Sequence, residues 1–429
     1  MNKRRWAIVS ICLSLLLACI LYYKKAKTTL TLGVFVGSNW DVPSTQSNMI
    51  IDRVIAQFEK KHPDVTIQYT SGIMKSDYSL WLHTKIMEGK EPDIYLVLED
   101  DFNQLSALGA FQKLDSQIEN DTHFDPTDYY SSSLGAGRYQ GHQYALPYES
   151  NPRLMFVNRT LLEKESIAIP ENWTLDQFYE ICRKVTKDTT GKGHINQFGM
   201  QKYTWQDAVN SYGVDLFNEE GKKSYFNKPE VIEAITYIQK LEALTHGQTP
   251  SVDDFDKGNV AFTPMLFSQY RTYMPYPWKI KKYSTFTWDC IKMPTALHKR
   301  GKTKVDSLLF AMSARTSHKS LSWQLLKDLT YNVDTQKQVF QYSQGISPLK
   351  KVTQSKAVVA AIIKGQDSML DISVLHQAME EATHTPTFKN YYGALKIADY
   401  QVNQMKQQGE ISEFSLLSID QQVKKYLKD

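Results

Sequence analysis

Three carboxylates that follow predicted strands are the first residues whose chemistry suggests a site. Glu99 and Asp100 come directly after an apolar run at Ile94–Leu98, and Glu149 follows a predicted hairpin. Two carboxylates facing each other across a cleft can act as acid and base in glycoside hydrolysis, and they can equally accept hydrogen bonds from ligand hydroxyls. The sequence has no Walker A loop, no HExxH, no GxSxG and no correctly spaced dinucleotide glycines. We therefore predict a binding protein rather than an enzyme.

Aromatic residues are the second chemical signal, at 12% of the chain with 25 tyrosines and 8 tryptophans. A ring covers a large area at little entropic cost and suits the apolar face of a pyranose, while neighbouring polar side chains suit its hydroxyls. For any one tryptophan, packing in the core is an equally good interpretation, so the prediction of a sugar site rests on the group. Its members in or beside predicted loops and strand ends are Trp40, Trp205, Tyr148, Tyr212, Tyr276, Trp278 and Trp288.

One spacing has the form of a metal site. His376, Glu380 and His384 follow an i, i+4, i+8 pattern on a predicted helix, where three such groups on one face can hold zinc. However, Thr385 and Pro386 follow at once, which places His384 at a frayed helix end. We predict an exposed polar face here, with neither a metal nor another cofactor.

The elements that must position these residues begin with a predicted parallel sheet. Apolar strands are interleaved with amphipathic helices, and Gly89 supplies a C-cap to the second helix. On that helix we expect Leu80, Ile86 and Met87 to face the core. Ligands of such sheets collect at the carboxyl ends of the strands, where Trp40 falls. The predicted elements are strand Thr29–Val36, helix Met49–Lys61, strand Val65–Tyr69, helix Asp77–Glu88 and strand Ile94–Leu98.

The stretch Gly137–Asn158 predicts a connection between two lobes. Arg138–Leu146 has the pattern of a hairpin, because Gly141 and His142 lie between tyrosine-flanked runs and glycine accepts positive φ. Pro147 then stiffens the exit, and a polar and aromatic group follows that we expect to face a cleft. Later predicted elements are strand Leu154–Val157, a helix capped by Thr174, helix Pro229–Leu244, strand Phe286–Met293, helix Ser320–Tyr331 and a last helix Ile411–Leu427.

Bulk composition limits the classes of partner. The net charge of +4 over 429 residues, without a long Lys/Arg block, argues against a nucleic-acid partner. An apolar content of 42% is enough for a large core and for more than one. Cys182 and Cys290 are too few to form a disulfide framework, and we expect two buried free thiols.

The N-terminus has the pattern of a targeting segment. A positive region at Lys3–Arg5 precedes the apolar run Trp6–Ala18. The sequence Leu16–Cys19 resembles the lipobox of bacterial lipoproteins, in which the cysteine is acylated by diacylglycerol. An uncleaved signal anchor over Trp6–Tyr23 is the alternative. Both interpretations place the chain from about Lys24 onward outside the membrane.

Seven short motifs in a fixed order resemble a known family, the extracellular solute-binding proteins of bacterial ABC importers, of the sugar-binding type similar to maltose-binding protein. Each motif alone is weak, but together they cover nearly the whole chain after the targeting segment. The motifs are Phe58–Val65, the G-x-x-P-D turn Gly89–Ile94, the hairpin Tyr139–Pro147, the strand Leu154–Arg159, the helix entry Pro170–Phe178, Phe255–Phe262 and Trp288–Pro294, and the segment Ser317–Leu329 also fits a later helix of the family.

The resemblance implies a periplasmic-binding-protein-like α/β fold of two discontinuous lobes with a hinge and a cleft between them. Residues 1–27 would be the signal peptide or anchor, 28–146 with 287–343 the N-terminal lobe, and 147–286 with 344–429 the C-terminal lobe. A carbohydrate would bind between the lobes and close them, and the closed monomer would deliver it to membrane permease subunits. Cys19 would carry the lipid that holds the protein on the outer face of the cell membrane.

Carried over by position, the resemblance also implies a set of ligand contacts. Arg271 leaves room for an anionic or phosphorylated sugar. Two other functions stay open, a secreted glycoside hydrolase and a ligand-sensing lipoprotein without transport. The implied contacts are Trp40, Glu99, Asp100, Tyr148, Glu149, Trp205, Tyr276 and Trp278.

Overall fold

The computed structural model describes residues 27–40, 47–70, 72–273, 286–299, 301–358, 360, 372–409 and 411–428. Cys19, Tyr276 and Trp278 lie outside these ranges, as does the apolar part of the predicted targeting segment. The predictions made for them are therefore carried forward as predictions.

Strands and helices alternate along most of the described chain. The strands are β1 Thr28–Gly33, β2 Val65–Tyr69, β3 Ile94–Val97, β4 Arg138–Tyr139, β5 His142–Gln143, β6 Ala145–Asn158, β7 Phe198–Met200, β8 Val260–Leu266, β9 Trp288–Ile291, β10 Thr303–Met312 and β11 Ala382–Thr383. The helices are α1 Ser47–Lys61, α2 Lys75–Glu88, α3 Glu99–Ala107, α4 Asp115–Asn120, α5 Ser131–Gly135, α6 Arg159–Lys164, α7 Leu175–Val185, α8 Trp205–Ser211, α9 Pro229–Ala243, α10 Val252–Asp256, α11 Phe267–Tyr273, α12 Lys319–Thr330, α13 Val333–Tyr342, α14 Lys350–Thr353, α15 Ile372–Glu380, α16 Tyr391–Gln408 and α17 Glu413–Lys428.

The beginning of the described chain forms a parallel sheet, as predicted. β1 pairs in parallel with β2 and with β3, and α1 and α2 lie between these strands in sequence. All four residues of β3 are buried, which is the pattern of a strand covered on both faces. The predicted C-cap is confirmed, because Gly89 has a φ of 70° and its N–H donates to the Ile86 carbonyl.

The predicted inward face of α2 is wrong for two of its three residues. Leu80 is 75% exposed and Met87 is 88% exposed, and only Ile86 packs partly against the core. The buried residues are Tyr78 and Leu82, one helical turn apart. The Tyr78 hydroxyl donates to the carbonyls of β1 and β3 at 3.0 and 2.9 Å. A tyrosine thus supplies the apolar surface that the prediction assigned to leucine and methionine.

Strand β6 extends the sheet from one half of the molecule into the other. The order of strands is β2-β1-β3-β10-β6-β8-β7, with β9 also pairing β6 and β11 also pairing β10. The first part of β6 pairs with β10, and the part from Arg153 onward pairs with β8 and β9. The sequence predicted a separate strand at Leu154–Val157, whereas the structure has one continuous strand through the polar stretch. Pro147 is accommodated opposite a register shift between Leu308 and Leu309 of β10.

The predicted hairpin before β6 is confirmed, with its turn one residue earlier than expected. β4 and β5 pair antiparallel, and Tyr139 is opposite His142. The two turn residues are Gln140 and Gly141, with φ of 49° and 82°, and His142 belongs to the second strand. Two positive φ values in a two-residue loop match the right-handed twist of the flanking strands.

Buried apolar residues divide into two cores. The first contains β1–β3 with α1, α12 and α13 and also includes buried residues of β7, β8 and β9, and the second contains α7–α9 with α16 and α17. We call the part around β1–β3 the first lobe and the part around α7–α9, α16 and α17 the second lobe. The apolar faces of α7 and α9 are buried, and Thr174 caps α7, as predicted, through a capping box with Gln177. Cys182 and Cys290 are buried free thiols, as predicted.

Three strands run side by side where the chain passes between the lobes. In β6 the change of partners falls at Pro152 and Arg153, and Pro152 is opposite Val305 of β10. Lys304 of β10 pairs in turn with Thr383 of β11. The assignment of 344–429 to the second lobe stays a prediction. In this segment the buried side chains up to Met379 pack in the first core, and those from Phe388 onward pack in the second.

Candidate ligand-binding site

A cavity of about 440 Å³ lies over these three crossing strands. Its lining comes from β6, β10 and the segment after β11, from α8 with the segments on either side of it, and from the first turns of α16. Side chains on all of these elements therefore converge on one space. The lining residues are Arg153, Thr204, Gln206, Asp207, Val209, Asn210, Val214, Asp215, Leu216, Phe217, Leu266, Lys304, Asp306, Thr383, His384, Thr385, Pro386, Tyr391 and Leu395.

The start of α8 holds an ion pair in place at one side of the cavity. Asp207 accepts from the N–H and the hydroxyl of Thr204, both at 2.9 Å, and forms a capping box with that residue. Arg153 donates to both Asp207 oxygens, from Nε at 2.6 Å and from Nη2 at 3.0 Å. Burial alone would lower the pKa of Arg153, but Asp207 raises it above its ordinary value. This pair is a rigid bidentate unit.

A second charged group lies on β10. Lys304 and Asp306 are two residues apart in the strand and therefore share one face. The Lys304 Nζ is 3.5 Å from Asp306 Oδ1 and 3.9 Å from Glu99 Oε1, at the start of α3. Burial opposes the charge on Lys304, but Asp306 and Glu99 together raise its pKa. We call Glu99, Lys304, Asp306 and Thr385 the hinge cluster.

The pKa of Glu99 is raised to about 7. Burial is the main cause and the charge of Asp306 adds to it, while Lys304 and the Thr385 hydroxyl act in the opposite direction. About 30% of the Glu99 side chain remains accessible, and the protein surrounds the rest. Glu99 therefore exchanges its proton near neutral pH.

Several polar atoms of the hinge cluster have no hydrogen-bond partner in the protein, although the Lys304 ammonium lies 3.5 and 3.9 Å from two of them. Within the described ranges, Glu99 Oε1, Asp306 Oδ1 and Thr385 Oγ1 are buried without a hydrogen-bond partner. A smaller space of about 10 Å³, room for roughly one water, adjoins Glu99 and Thr385. Buried polar atoms without partners are costly, so this capacity is available to the hydroxyls of a ligand or to water.

Two aromatic rings complete the cavity. Tyr391 is 8% exposed, and its ring centroid is 5.8 Å from that of Phe217, which also lines the space. Tyr391 contacts Tyr392 edge to face at 5.1 Å. Neither Tyr391 nor Phe217 was among the predicted site residues. The sequence feature that could have indicated Tyr391 is the pair of adjacent tyrosines, Tyr391 and Tyr392, at the start of a helix shortly after Pro386.

Trp40, Tyr148 and Glu149 are brought together, but away from this cavity. Tyr148 and Glu149 line a separate space of about 30 Å³ in the first lobe, and Trp40 lies beside the Glu149 carboxylate. Glu149 accepts from Ser343 Oγ at 2.6 Å and from the Gly345 N–H. Burial raises its pKa, against the opposing effects of those donors. Glu149 and Glu99 therefore line different spaces.

The other predicted contacts are dispersed. Trp205 is 3% exposed and packs in the second core, where its Nε1 donates to Asp399 at 2.8 Å. Asp100 is exposed on α3. Arg271 is fully buried and donates to the backbone carbonyls of Phe340, Gln341 and Gly345, and burial lowers its pKa to about 10. Arg271 therefore does not face the cavity.

The candidate zinc pattern is not assembled. His376 hydrogen bonds with the Tyr130 hydroxyl at 2.9 Å, and Glu380 pairs with Lys350 at 3.9 Å. His384 lies beyond the end of α15, and burial lowers its pKa. Within the described part of the chain, His, Cys, Asp and Glu form no group of three that could hold a metal ion. No described helix is long and apolar enough to cross a membrane.

Comparison with known proteins identifies a consistent set of relatives. The sequence profile of the family described as "Bacterial extracellular solute-binding protein" matches residues 43–336. A maltotriose-binding protein of Pyrococcus abyssi is 24% identical over 288 residues, which are 65% of this chain and 58% of that relative. The chain thus spans little more than half of this curated relative.

Solved structures share the fold at low sequence identity. The cyclic α-maltosyl-1,6-maltose binding protein of Arthrobacter globiformis has a TM-score of 0.77 and 17% identity, over 94% of this chain and 99% of that one. An ABC substrate-binding protein of Listeria monocytogenes in complex with cycloalternan has a TM-score of 0.67 and 19% identity, over 94% and 99%. The two-lobed α/β architecture predicted from the sequence is therefore confirmed.

Proposed function

Because the chain belongs to the bacterial extracellular solute-binding protein family, we propose that it captures a carbohydrate between its lobes for an ABC importer. The observation that carries this proposal is the cavity of about 440 Å³ over the three crossing strands. Its size is within the range of small-molecule sites, and its lining combines charged pairs with an aromatic ring. Its relatives include proteins that bind maltotriose or cyclic maltosyl-maltose and one solved in complex with cycloalternan, which supports an oligosaccharide as the ligand.

In this proposal the hinge cluster and Tyr391 bind the sugar. Asp306 and Thr385 accept hydrogen bonds from hydroxyls, Lys304 donates to ring or hydroxyl oxygens, and the Tyr391 ring covers an apolar sugar face. These groups come from the crossing strands and from both lobes. A ligand that contacts all of them has a higher affinity for the closed arrangement, and it shifts the population of the protein towards closure.

Delivery and anchoring are part of the same proposal. The closed form would be recognised by the permease subunits of the importer, and no chemical step on the sugar is assigned to this chain. The lipobox-like sequence ending at Cys19 supports a lipid anchor on the outer face of the membrane. Replacement of Cys19 by Ser is expected to abolish incorporation of radiolabelled fatty acid and to release the protein from the membrane fraction. Continued membrane retention without labelling would favour the uncleaved anchor.

A thermal-shift screen of mono- and oligosaccharides tests the proposed function. A ligand that binds only the folded state raises the melting temperature, by the equivalent of about 2.7 kcal/mol at a concentration one hundred times its Kd. The panel includes maltotriose and mannotriose, with chromatography of each mixture to detect hydrolysis products. If no sugar raises the melting temperature, carbohydrate capture is wrong, and the appearance of products would indicate a hydrolase.

The variant Asp306→Asn tests the location of the site. It replaces a charged acceptor in the cavity by an amide of the same shape, and hydrogen bonds to charged groups contribute about 1.5–3 kcal/mol. We expect at least a tenfold loss of affinity for the best sugar of the screen, measured by calorimetry. The matched control is Asp328→Asn, which frees Lys61 on the surface of the first lobe. Unchanged affinity in Asp306→Asn would move the site away from the hinge cluster.

A further inference from the structure

The lining of the cavity contains more negative than positive charges. Among the described residues, its formal cations are Arg153 and Lys304, and its carboxylates are Asp207, Asp215 and Asp306. The balance is therefore two against three, before Glu99 at the edge of the cavity is counted. Net charge alone does not decide which ligand fits, because a single uncommitted cation can still bind an anion. What matters is therefore whether Arg153 and Lys304 are already paired with carboxylates of the protein.

Arg153 is held by one carboxylate through its Nε and Nη2 atoms. Both of its bonds to Asp207 are short, at 2.6 and 3.0 Å, and Asp207 is only 5% exposed. An anionic ligand that drew Arg153 away would leave Asp207 buried without its cation, which costs several kcal/mol. The N–H of Asp207 itself is occupied by the Thr204 hydroxyl, at 3.2 Å. An anion at the start of α8 would therefore lie beside the Asp207 carboxylate.

Lys304 lies between two carboxylates. Its Nζ is 3.5 Å from Asp306 and 3.9 Å from Glu99, so an anion approaching it also approaches both acids. The carboxylates of Glu99 and Asp306 also act on Tyr391 and Tyr392 at the start of α16, since their charges add to burial in raising the pKa values of both tyrosines. At the edge of the cavity, Lys302 pairs with Asp215 at 2.6 Å.

Two further basic groups, His384 and Arg271, are also unavailable. Burial lowers the pKa of His384, which keeps this imidazole neutral at neutral pH. Arg271, the residue that the sequence suggested for an anionic group, donates to three backbone carbonyls and lies near Glu149 instead.

We propose that this site selects uncharged sugars and rejects their carboxylated or phosphorylated counterparts. This inference rests on the proposed function and names the substrate class of the same cavity. Hydroxyl groups both donate and accept, so they satisfy the unpartnered oxygens of Asp306 and Thr385 while accepting from Lys304. A carboxylate or phosphate can only accept once ionised, and it meets like charge in a partly desolvated space. The same groups that bind a neutral sugar therefore repel an anionic one.

Matched pairs of ligands test the inference. Each neutral oligosaccharide, beginning with maltotriose, is compared by calorimetry at pH 8 and low salt with its aldonic acid, and glucose with glucose 6-phosphate. We expect every neutral member that binds to do so at least tenfold more tightly than its anionic partner. If anionic members bind as tightly or more tightly, the inference is overturned while carbohydrate capture stands. If neither class binds, the proposed function fails and the inference fails with it.

A double variant tests whether the carboxylates cause the rejection. Glu99→Gln combined with Asp306→Asn leaves Lys304 without an acidic neighbour in the hinge cluster. The Kd of the anionic member is expected to fall at least fivefold in the double variant, although binding of the neutral member is weakened. Asp328→Asn again serves as the control and keeps both wild-type Kd values. An anionic Kd that does not fall in the double variant, whatever happens to neutral binding, would overturn the charge explanation.

Discussion

At the scale of single residues, the charged side chains of the cleft differ in how fully they are engaged. Arg153 makes a bidentate pair on a helix cap, whereas Lys304 has two acidic neighbours at 3.5 and 3.9 Å and lies outside ideal hydrogen-bond range of both. The first arrangement is structural and fixes the wall of the cavity. The second leaves hydrogen-bonding capacity for a ligand, which is why the hinge cluster is the better candidate for sugar contacts.

Glu99 is expected to make stability depend on pH. Its pKa in the folded state is about 7, above its ordinary value of 4.5, so the folded protein retains a proton that the unfolded chain has lost. Its stabilising contribution is complete below pH 4.5 and is lost as the pH rises through 7. The unfolding free energy of the wild type, relative to Glu99→Gln, should therefore fall by about 1–3 kcal/mol between pH 4.5 and pH 8. Urea unfolding of both proteins at several pH values measures this, and parallel pH profiles would contradict it.

Tyr148 is expected to act on stability more than on binding. The sequence predicts a ligand contact, but the side chain is 5% exposed, and its ring lies edge-on to Phe310 at 5.3 Å. Truncation of a buried ring to Ala costs about 3–5 kcal/mol. Tyr148→Ala should therefore lower the unfolding free energy by about that amount, while Tyr148→Phe changes it little. If Tyr148→Ala keeps its stability and loses ligand affinity, the sequence-based assignment is the correct one.

At the scale of elements, a buried polar layer stabilises strand β6. It lies next to the space of about 30 Å³ that Tyr148 and Glu149 line. Ser150 and Ile346 exchange backbone hydrogen bonds at 2.9 and 2.7 Å, and Glu149 accepts from Ser343 and from the backbone of Gly345. Arg271 is bound to carbonyls of the same segment. This layer holds β6 in register through its polar middle part, where apolar alternation gives little guidance.

Gly345 is the position where this layer tolerates no side chain. A Cβ there would lie 2.6 Å from the Ser150 carbonyl oxygen and 2.7 Å from Glu149 Oε1. Because a backbone atom must move to make room, Gly345→Ala should destabilise the protein by about 1–3 kcal/mol or more. Chemical denaturation measures the loss. Gln341→Ala is the control, since that exposed side chain is removed while its carbonyl still accepts from Arg271. Equal stability of the two variants would refute the close packing.

At the scale of the whole molecule, two separate cores connected by three adjacent strands favour a hinge. The cavity lies on those strands, so a ligand there contacts groups whose spacing changes when the lobes move. Hinge closure requires only that a few residues at such a crossing absorb the change in φ and ψ.

Closure in response to ligand is therefore expected in solution. A sugar that raises the melting temperature should also reduce the radius of gyration measured by small-angle X-ray scattering, because closure brings the two lobes together. The same sugar added to Asp306→Asn, at a concentration that saturates only the wild type, should leave the radius unchanged. A saturating sugar with no effect on the wild-type radius would argue against hinge closure.

Interactions between residues close together in the sequence made much of the fold predictable. The alternation of strands and helices, the Gly89 cap, the capped helix at Thr174 and the hairpin before β6 depend on residues close together in sequence. The inward face of α2 was not predictable in the same way. Whether Leu80 or Tyr78 is buried depends on which neighbouring strands supply partners for the tyrosine hydroxyl.

The sequence by itself determined the class of fold and the family, because periodicity, capping residues and ordered motifs can be recognised without knowing which residues are in contact. Only the tertiary structure decided which chemically suggestive residues share a space. It buried Trp205 and Glu149 among structural hydrogen bonds, and it left Glu99 beside the cavity. It also gathered Lys304 and Tyr391 from segments far apart in the chain. A cleft is produced by long-range packing, and long-range packing is not encoded in the spacing of any one segment.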